Sequence, residues 1–243
     1  MPVLGVIPAR LGSTRLPRKP LQPLGGVPLV VRVAERVRAH GIVDRLVVAT
    51  DSPEIAAVVR DAGFEGILTS PHHQSGTDRV FEVASRAEFK SCDEILNVQG
   101  DAPFLPLSAL AGALRQLRLG HDIGTAALPL GPASGRWDDA TCVKVVIDPA
   151  GRARSFSRGL IPGKTNWHHL GLYAYTRSAL ERLAGAASTP DERTQGLEQL
   201  RAMALGLSIG VACLDEPAGP AVDTAADLRE AEAYWNHLDE VTR

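Results

Sequence analysis

Short apolar runs alternate with amphipathic stretches from the beginning of the chain. Residues 3–7 are continuously apolar, as in a strand buried on both faces, and residues 45–49 and 94–98 are similarly apolar. Residues 28–39 and 78–89 place apolar side chains at helical spacing. Strands that alternate with helices over short connections indicate a parallel sheet covered on both faces. The first half of the chain is therefore predicted to be a Rossmann-like α/β unit.

A further helix is predicted directly after the second strand. Asp51 or Ser52 is suited to its N-cap, and Pro53 and Glu54 suit its first turn.

The second half of the chain is less regular. Strands are predicted at residues 125–129, 142–148, 171–176 and 208–214, and helices at 178–184, 195–205 and 224–238. Two long loops that contain glycine or proline, at residues 131–137 and 159–167, are typical of lids or binding loops. We therefore predict one α/β domain over residues 1–243, with a mostly parallel sheet and a smaller subsidiary sheet region.

Composition and charge narrow the function classes. The chain is 44% hydrophobic and 22% charged, and its formal net charge is −2. This charge argues against a nucleic-acid or anionic-membrane partner, so a polyanionic ligand requires a local basic cluster. No apolar run approaches the roughly 20 residues that span a bilayer.

The cysteines favour a reducing location. Cys92, Cys142 and Cys213 are far apart and form no CxxC pair, so the sequence offers neither a zinc site nor a redox couple. Reduced, buried cysteines in a cytoplasmic protein are the expectation.

A basic loop follows the first strand. Within ten residues it contains four cations, interspersed with glycine and hydroxyl side chains: Arg10, Gly12, Ser13, Thr14, Arg15, Arg18 and Lys19. Ligands of open α/β sheets bind at the carboxyl ends of strands, where this loop must lie. Backbone N–H groups, hydroxyls and several cations suit a triphosphate, although a solvated basic turn is the alternative. Neither the GxxxxGK[ST] loop nor GxGxxG occurs in the chain.

Four ordered motifs in the first hundred residues carry a family resemblance. IPARLGSTRLPRKPL, which starts at Ile7, resembles the opening signature of the 3-deoxy-manno-octulosonate (Kdo) cytidylyltransferases, and VATD, HQSGTDR and NVQGD follow in order. The resemblance implies the nucleotide-diphospho-sugar transferase type of fold and transfer of CMP from CTP to Kdo for lipopolysaccharide synthesis. It also implies Mg²⁺ as cofactor, a homodimer, a nucleotide-binding half at about residues 1–125, and a sugar-binding and dimerisation half at about 126–243.

The resemblance assigns roles to residues of the first half. It implies that the nucleotide is bound by Pro8, Ala9, Arg10, Gly12, Ser13, Lys19, Ser75, Gly76, Arg79 and Gln99. Arg10, Lys19 and Asp101 would be catalytic, and Asp101 and Asp223 would bind the metal. Purely structural roles are the alternatives for four of these residues or their neighbours. Asp101 suits a turn after Gly100, Asp223 suits the N-cap of the last helix, and Thr77 or Asp78 suits a helix cap.

Three later motifs resemble the family's sugar-binding elements. FSR, HLGLYAY and LEQLR imply a sugar pocket lined by Gln99, Arg158, His169, Tyr173, Glu198 and Gln199. Structural hydrogen bonds are the alternative for His169 and Tyr173, and a surface ion pair with Arg201 is the alternative for Glu198.

Departures from the family pattern keep other functions open. Ala102 stands where the family has glutamate, and residues 159–163 lack its usual tryptophan. A cytidylyltransferase for another 2-keto acid, a sialic-acid-like sugar or a phosphonate would show such differences. A metal-dependent glycosyltransferase is a further alternative, although its usual DxD pair is missing beside Asp101. A non-catalytic nucleotide-binding regulator is the last.

Overall fold

The computed structural model describes residues 1–73, 75–131 and 139–242, and the chain forms two compact units. The first unit combines Met1–Leu105 with Ala218–Arg243, and the second is Pro106–Pro217. From residue 132 onward, the predicted binding loop at 131–137 lies outside the described residues. No helix in the described part combines the length and apolarity that crossing a membrane requires.

A parallel sheet forms the centre of the first unit. Its strands are β1 (Val3–Ala9), β4 (Arg45–Thr50), β5 (Glu65–Leu68) and β6 (Glu94–Asn97), in the order β6-β1-β4-β5. A small antiparallel hairpin, β2 (Pro23–Leu24) and β3 (Val27–Pro28), lies outside this sheet. Because β1 has a parallel neighbour on each side, its continuous apolar run is almost completely buried.

Three helices accompany these strands: α1 (Leu29–Ala39), α2 (Pro53–Asp61) and α3 (Gly76–Ala84). Ser52 caps α2, as predicted, because its hydroxyl accepts the N–H of Ile55 at 3.3 Å. The predicted cap of α3 is wrong. The helix begins at Gly76, so Thr77 and Asp78 lie in its first turn, and Ser75 accepts the N–H of Asp78 at 3.1 Å.

One helix and one strand in this unit differ from the prediction. The helix predicted over residues 78–89 ends at Ala84, and a separate 3-10 helix covers Ala87–Phe89. Strand β5 was not predicted, since its four residues include a glycine. That glycine is required by packing: a Cβ on Gly66 would lie 2.9 Å from the carbonyl oxygen of Ala56 in α2.

The second unit contains a mixed sheet. Its strands are β7 (Ile123–Pro129), β8 (Lys144–Ile147), β9 (Ala153–Ser157), β10 (Trp167–Thr176) and β11 (Ile209–Cys213). Strand β7 pairs in parallel with β11 and antiparallel with β10, and β8 joins β10 to β9. This mixed sheet corresponds to the less regular half of the sequence, and its strands β8, β9 and β11 are only four or five residues long.

The helices of the second unit are α4 (Leu107–Arg118), α5 (Arg177–Ala184), α6 (Pro190–Gln195) and α7 (Gln199–Ala204). The single helix predicted over residues 195–205 is wrong. Gly196 adopts φ +63°, which ends α6, and α7 begins three residues later.

A buried ion pair joins α6 to α7. Glu192 accepts hydrogen bonds from Arg201 Nε and Nη2, the shortest at 2.6 Å, and also completes a capping box with Thr189. Arg201 donates to the carbonyl groups of Leu183 and Ala186 as well. The surface ion pair considered for Glu198 and Arg201 is therefore wrong, because the guanidinium is buried against Glu192 instead.

The last helix, α8 (Ala225–Thr242), belongs to the first unit. Its Trp235 ring lies 4.0 Å from the guanidinium of Arg32, and Glu232 accepts the N–H of Gly25 at 3.0 Å. Gly25 has φ +56°, and its α-carbon packs so closely on Trp235 that a side chain has no room. The helix is thus fixed to the hairpin of β2 and β3.

We predict that Glu192→Gln lowers the free energy of unfolding by about 3 kcal/mol, because it leaves the Arg201 charge buried without a counter-ion. Glu65→Gln is the matched control, since Glu65 pairs with Arg45 at the surface at 2.8 Å, and we expect it to cost less than about 1 kcal/mol. Urea unfolding of both variants measures the difference. Equal costs would contradict the assigned burial of the Glu192 pair.

Candidate active site

The basic loop ends at a left-handed residue that turns the chain into a 3-10 helix, Lys19–Leu21. Arg18 has φ +55°, an uncommon conformation for a residue with a side chain, and its guanidinium pairs with Glu54. Lys19 is thereby placed at the first position of the 3-10 helix.

Three distant segments are anchored in one apolar cluster of the first unit. The cluster consists of Leu16, Leu24, Leu29, Phe104, Val222 and Ala231. Leu16 lies three residues before Lys19, Phe104 three residues after Asp101, and Val222 directly before Asp223. Burial of these apolar side chains therefore brings the three charged residues towards one place.

The two predicted metal-binding aspartates converge on one ammonium group. Lys19 Nζ donates to Asp101 Oδ2 at 2.6 Å and to Asp223 Oδ1 at 3.0 Å. Arg15, which was not among the predicted site residues although it lies in the basic loop, adds an ion pair to Asp223 at 3.1 Å. The backbone N–H of Val222 donates to the Asp101 carbonyl at 2.8 Å, which fixes the two segments together.

The structure tests the turn and N-cap interpretations of these two aspartates. Asp101 does lie in a turn, in which Ala102 N–H donates to the Gln99 carbonyl at 3.2 Å, but its carboxylate contacts Lys19. The N-cap interpretation of Asp223 is wrong. Thr224 accepts the N–H of Asp227 at 3.2 Å, and the Asp227 carboxylate accepts the N–H of Thr224, so Asp223 retains its carboxylate for the cations.

Electrostatics keep Lys19 protonated. Burial by itself would lower its pKa, but the adjacent charge of Asp101, followed by that of Asp223, more than offsets burial and raises the pKa above 10.5.

The donor set suits a magnesium ion. No group of three or more His, Cys, Asp or Glu side chains with metal-ligand geometry occurs in the part of the chain that the structure describes. Mg²⁺ nevertheless commonly uses only one or two carboxylates, with water and substrate phosphates as its remaining ligands. Asp101 and Asp223 provide such a pair, already gathered around a cation.

Two glycines bring the other nucleotide motifs to the carboxyl end of β1. A Cβ on Gly100 would lie 3.0 Å from the carbonyl oxygen of Pro8, and one on Gly76 would lie 3.5 Å from the Pro8 ring. The turn before Asp101 and the start of α3 therefore both pack on the last residues of β1. Ala9 is buried at this strand end, whereas Arg10 is exposed.

The remaining predicted nucleotide residues differ in their surroundings. Gly12 has open space around it, and Ser13 folds the loop by accepting the N–H of Leu16 at 3.4 Å. Gln99 is half-buried. Arg79 is 3% exposed, donates to Asp51 at 2.9 Å and also binds the Thr69 hydroxyl. Its assignment to the nucleotide base stays a prediction.

A carboxylate that the sequence did not single out organises the loop before α3. Glu82 accepts the Ser70 N–H at 2.8 Å and lies 2.6 Å from His73 Nε2. Burial would raise the Glu82 pKa, but the Ser70 N–H and the His73 ring lower it overall. Residues 70–73 are thus held in place by a side chain of α3.

In the second unit, His169 is a buried and neutral histidine. It is 5% exposed, its Nε2 lies 2.9 Å from Thr125 Oγ1, and its ring packs edge-on against Phe156 at 5.1 Å. Burial, with a smaller contribution from His168, lowers the His169 pKa to about 3.

Other predicted sugar residues adjoin His169. The Tyr173 ring lies 5.3 Å from the His169 ring, and burial, Tyr175 and Glu198 raise the Tyr173 pKa well above 10.0. Gln199 is buried at the start of α7, and Glu198 directly precedes it.

Arg158 has mainly backbone partners. Its Nε donates to the Gln195 carbonyl at 2.7 Å, and its two terminal nitrogens lie within hydrogen-bonding distance of the Ala140 and Gly196 carbonyls. It thereby caps the last turn of α6. The buried Lys144, which sequence reasoning did not single out, donates to the Arg158 carbonyl at 3.0 Å.

The fold and the site define a phosphate-handling α/β protein with a cationic loop and two gathered carboxylates. A protein-family description, cytidylyltransferase, matches residues 4–209, so the chain belongs to the cytidylyltransferase family. It is similar to the 3-deoxy-manno-octulosonate cytidylyltransferase of Gemmatimonas aurantiaca, at 46% identity over 98% of this chain and 96% of that protein. The corresponding protein of Azorhizobium caulinodans is 43% identical over 95% of this chain and 94% of its own length.

A solved structure agrees with these relatives. The chain resembles a CMP:2-keto-3-deoxy-manno-octonic acid synthetase complexed with CTP, with a TM-score of 0.89 and 32% identity over 98% of this chain and 100% of that one. The predicted fold class and family resemblance are confirmed. The roles of individual site residues and the division at residue 125 stay predictions.

We predict that His169 makes the fold less stable in mild acid. An unfolded histidine binds a proton below about pH 6.5, whereas the folded ring resists protonation down to a pKa of about 3. The free energy of unfolding should therefore fall by about 1 kcal/mol from this residue as the pH drops from about 7.5 to about 5.5. His169→Gln should show a flatter pH dependence in urea unfolding. Equal slopes for the two proteins would contradict the neutral, buried state.

Proposed function

We propose that this protein transfers CMP from CTP to the anomeric hydroxyl of Kdo and releases pyrophosphate. Membership of the cytidylyltransferase family, relatives named for Kdo and a structural neighbour complexed with CTP support this reaction. The observation that carries it in this chain is the convergence of Asp101 and Asp223 on Lys19, beside the basic loop.

The reaction exchanges one phosphorus–oxygen bond for another. The sugar hydroxyl oxygen attacks the α-phosphorus, the bond from that phosphorus to the bridging oxygen of the β-phosphate breaks, and pyrophosphate leaves. The hydroxyl proton is lost to solvent. Little covalent work falls to the protein, so positioning and charge stabilisation provide the rate.

Asp101 and Asp223 would hold magnesium in this proposal. When bound, the ion would neutralise phosphate charge and help to orient the attacking oxygen. Lys19 and Arg15 already balance the two carboxylates, so the chain supplies a cluster of charges of both signs. The exposed Arg10 and the protonated Lys19 would stabilise the charge that develops on the departing pyrophosphate.

The acceptor is assigned to the side chains of the second unit. His169, Tyr173, Glu198 and Gln199 offer the mixture of ring, carboxylate and amide groups that sugar hydroxyls need. The differences in sequence at Ala102 and at residues 159–163 do not displace Kdo as the proposed acceptor, because the similar proteins named for Kdo cover nearly the whole chain.

The proposal extends to location and assembly. Cys92 and Cys142 are buried and Cys213 is exposed, and none of the three forms a disulfide, which suits a reducing cytoplasm. A homodimer and a place in lipopolysaccharide synthesis rest on the family resemblance alone.

We predict pyrophosphate release only when CTP, Mg²⁺ and Kdo are present together. The test crosses four nucleoside triphosphates with Kdo, a sialic acid and a phosphonate acid, and measures pyrophosphate. Selective turnover with CTP and Kdo supports the proposal, and a preference for another acid would reassign the acceptor. Binding of CTP without turnover on any acid would indicate a regulator instead.

We predict that Asp101→Asn lowers turnover roughly a hundredfold or more, about 3 kcal/mol in barrier height, because an amide binds Mg²⁺ poorly. Asp61→Asn is the matched control, since Asp61 is exposed at the end of α2, and should keep full activity. Mn²⁺ binding, followed by electron paramagnetic resonance, provides a second readout that should weaken only in Asp101→Asn. A folded Asp101→Asn protein with full turnover would rule out the metal role.

A further inference from the structure

Strand β10 contains an irregularity beside the predicted sugar residues. Its pairing with β7 runs to Leu170, opposite Ala126, and resumes at Ala174, opposite Gly124. Residues 171–173 lie between these two points and include Tyr173. Such irregularities leave ladder groups unpaired and re-aim side chains, often next to functional sites.

The Thr125 hydroxyl takes the place of the missing ladder contacts. Thr125 lies in β7 with no exposed surface, and its Oγ1 donates to the Leu172 carbonyl at 2.7 Å, with the Leu170 carbonyl further away at 3.4 Å. The same oxygen lies 2.9 Å from His169 Nε2. One buried hydroxyl therefore serves both the irregular strand and the histidine ring.

The hydroxyl proton determines which nitrogen of His169 carries hydrogen. A carbonyl oxygen can only accept, so the single Thr125 proton is directed to Leu172. The contact with His169 is then a hydrogen bond only if Nε2–H is the donor. A neutral imidazole has one N–H, and burial keeps this ring neutral, so Nδ1 carries a lone pair.

We propose that Thr125 is a positioning residue that fixes His169 in its Nε2–H form, and that the lone pair on Nδ1 accepts a hydrogen bond from a hydroxyl of the acceptor sugar. The proposal rests on the function proposed above, with His169 in the sugar site. Thr125 acts through His169 and does not touch substrate, since it is fully buried.

This arrangement has a consequence for recognition. A nitrogen lone pair attracts a hydroxyl proton and repels a carboxylate oxygen, so His169 would read a sugar hydroxyl and not the acid group. No hydrogen bond to Nδ1 is found within residues 1–73, 75–131 and 139–242, so among these residues it has no competing donor.

The first test observes the nitrogen atoms directly in the native, full-length protein. Long-range proton–nitrogen correlation spectra distinguish a ring nitrogen that carries hydrogen from one that does not, and loss of one signal set in His169→Gln assigns the ring among the seven histidines. We expect a protonated Nε2 and an unprotonated Nδ1 at neutral pH. A protonated Nδ1 in the native protein would overturn the proposal without the need for any variant of Thr125.

The second test compares two substitutions of Thr125. Thr125→Ser keeps the hydroxyl and should preserve both the ring signals and the kinetics. Thr125→Val keeps the shape of the side chain but removes the hydroxyl, so the His169 ring should lose its preference for the Nε2–H form. The KM for Kdo should then rise about tenfold, the usual effect of one hydrogen bond, while the KM for CTP stays unchanged. Unchanged ring signals and KM for Kdo in folded Thr125→Val, or equal increases in both KM values, would contradict a positioning role.

The two proposals fail in distinguishable ways. If the native protein does not turn over Kdo with CTP, the proposed function fails, while the ring nitrogens still report whether Thr125 sets the form of His169. If turnover is normal but the ring has the opposite form, only the inference about Thr125 fails.

Discussion

The site of the first unit depends on one ammonium group held between two carboxylates. Asp101 and Asp223 are far apart in the chain, and two carboxylates that share a site repel each other. Lys19, with its side chain 17% exposed, contacts both and makes their convergence favourable. Apolar neighbours of all three residues are buried in one cluster, so the hydrophobic core and the ion pairs support the same arrangement. In the proposed function, the triphosphate would bind beside charges that the fold itself gathers.

The two units solve different chemical problems. In the first, cations and carboxylates stay partly exposed, as the proposed binding of phosphate and metal from water would require. In the second, His169 is buried and neutral, and hydroxyl and aromatic groups surround it. Neutral donors and acceptors discriminate among sugar hydroxyls by direction, whereas charges attract any anion at long range. In the proposed function, the first arrangement would provide affinity for the nucleotide, and the second would select the acceptor.

Local patterns predicted the parts of the fold that local physics determines. The apolar run of β1 and the Ser52 cap follow from periodicity and end signals, whereas Asp101 lies in a turn four residues after the end of β6. The pairing of Asp223 with Lys19 spans most of the chain and was not predicted, since the resemblance implied only that Asp223 binds a metal together with Asp101. The end of α6 depends on the left-handed conformation of Gly196. The polar residues around it fit a helical pattern, so the sequence did not indicate this end. The sequence did not indicate the proposed role of Thr125, since that role depends on an irregularity in another strand, β10.

Charged residues within a motif fall into two groups once burial and partners are known. The guanidiniums of Arg79 and Arg158 are engaged, the first by Asp51 and Thr69 and the second by carbonyls at the end of α6. An engaged guanidinium contacts a ligand only with its remaining donors, so in the proposed function these two residues would chiefly shape the segments that carry other site residues. Arg10 is exposed, and Lys19 is drawn to a charge pair that a bound cation would share. In the proposed function, the basic loop and the two aspartates would therefore meet the charge demand of nucleotidyl transfer, while Arg79 and Arg158 would maintain the geometry of their own segments.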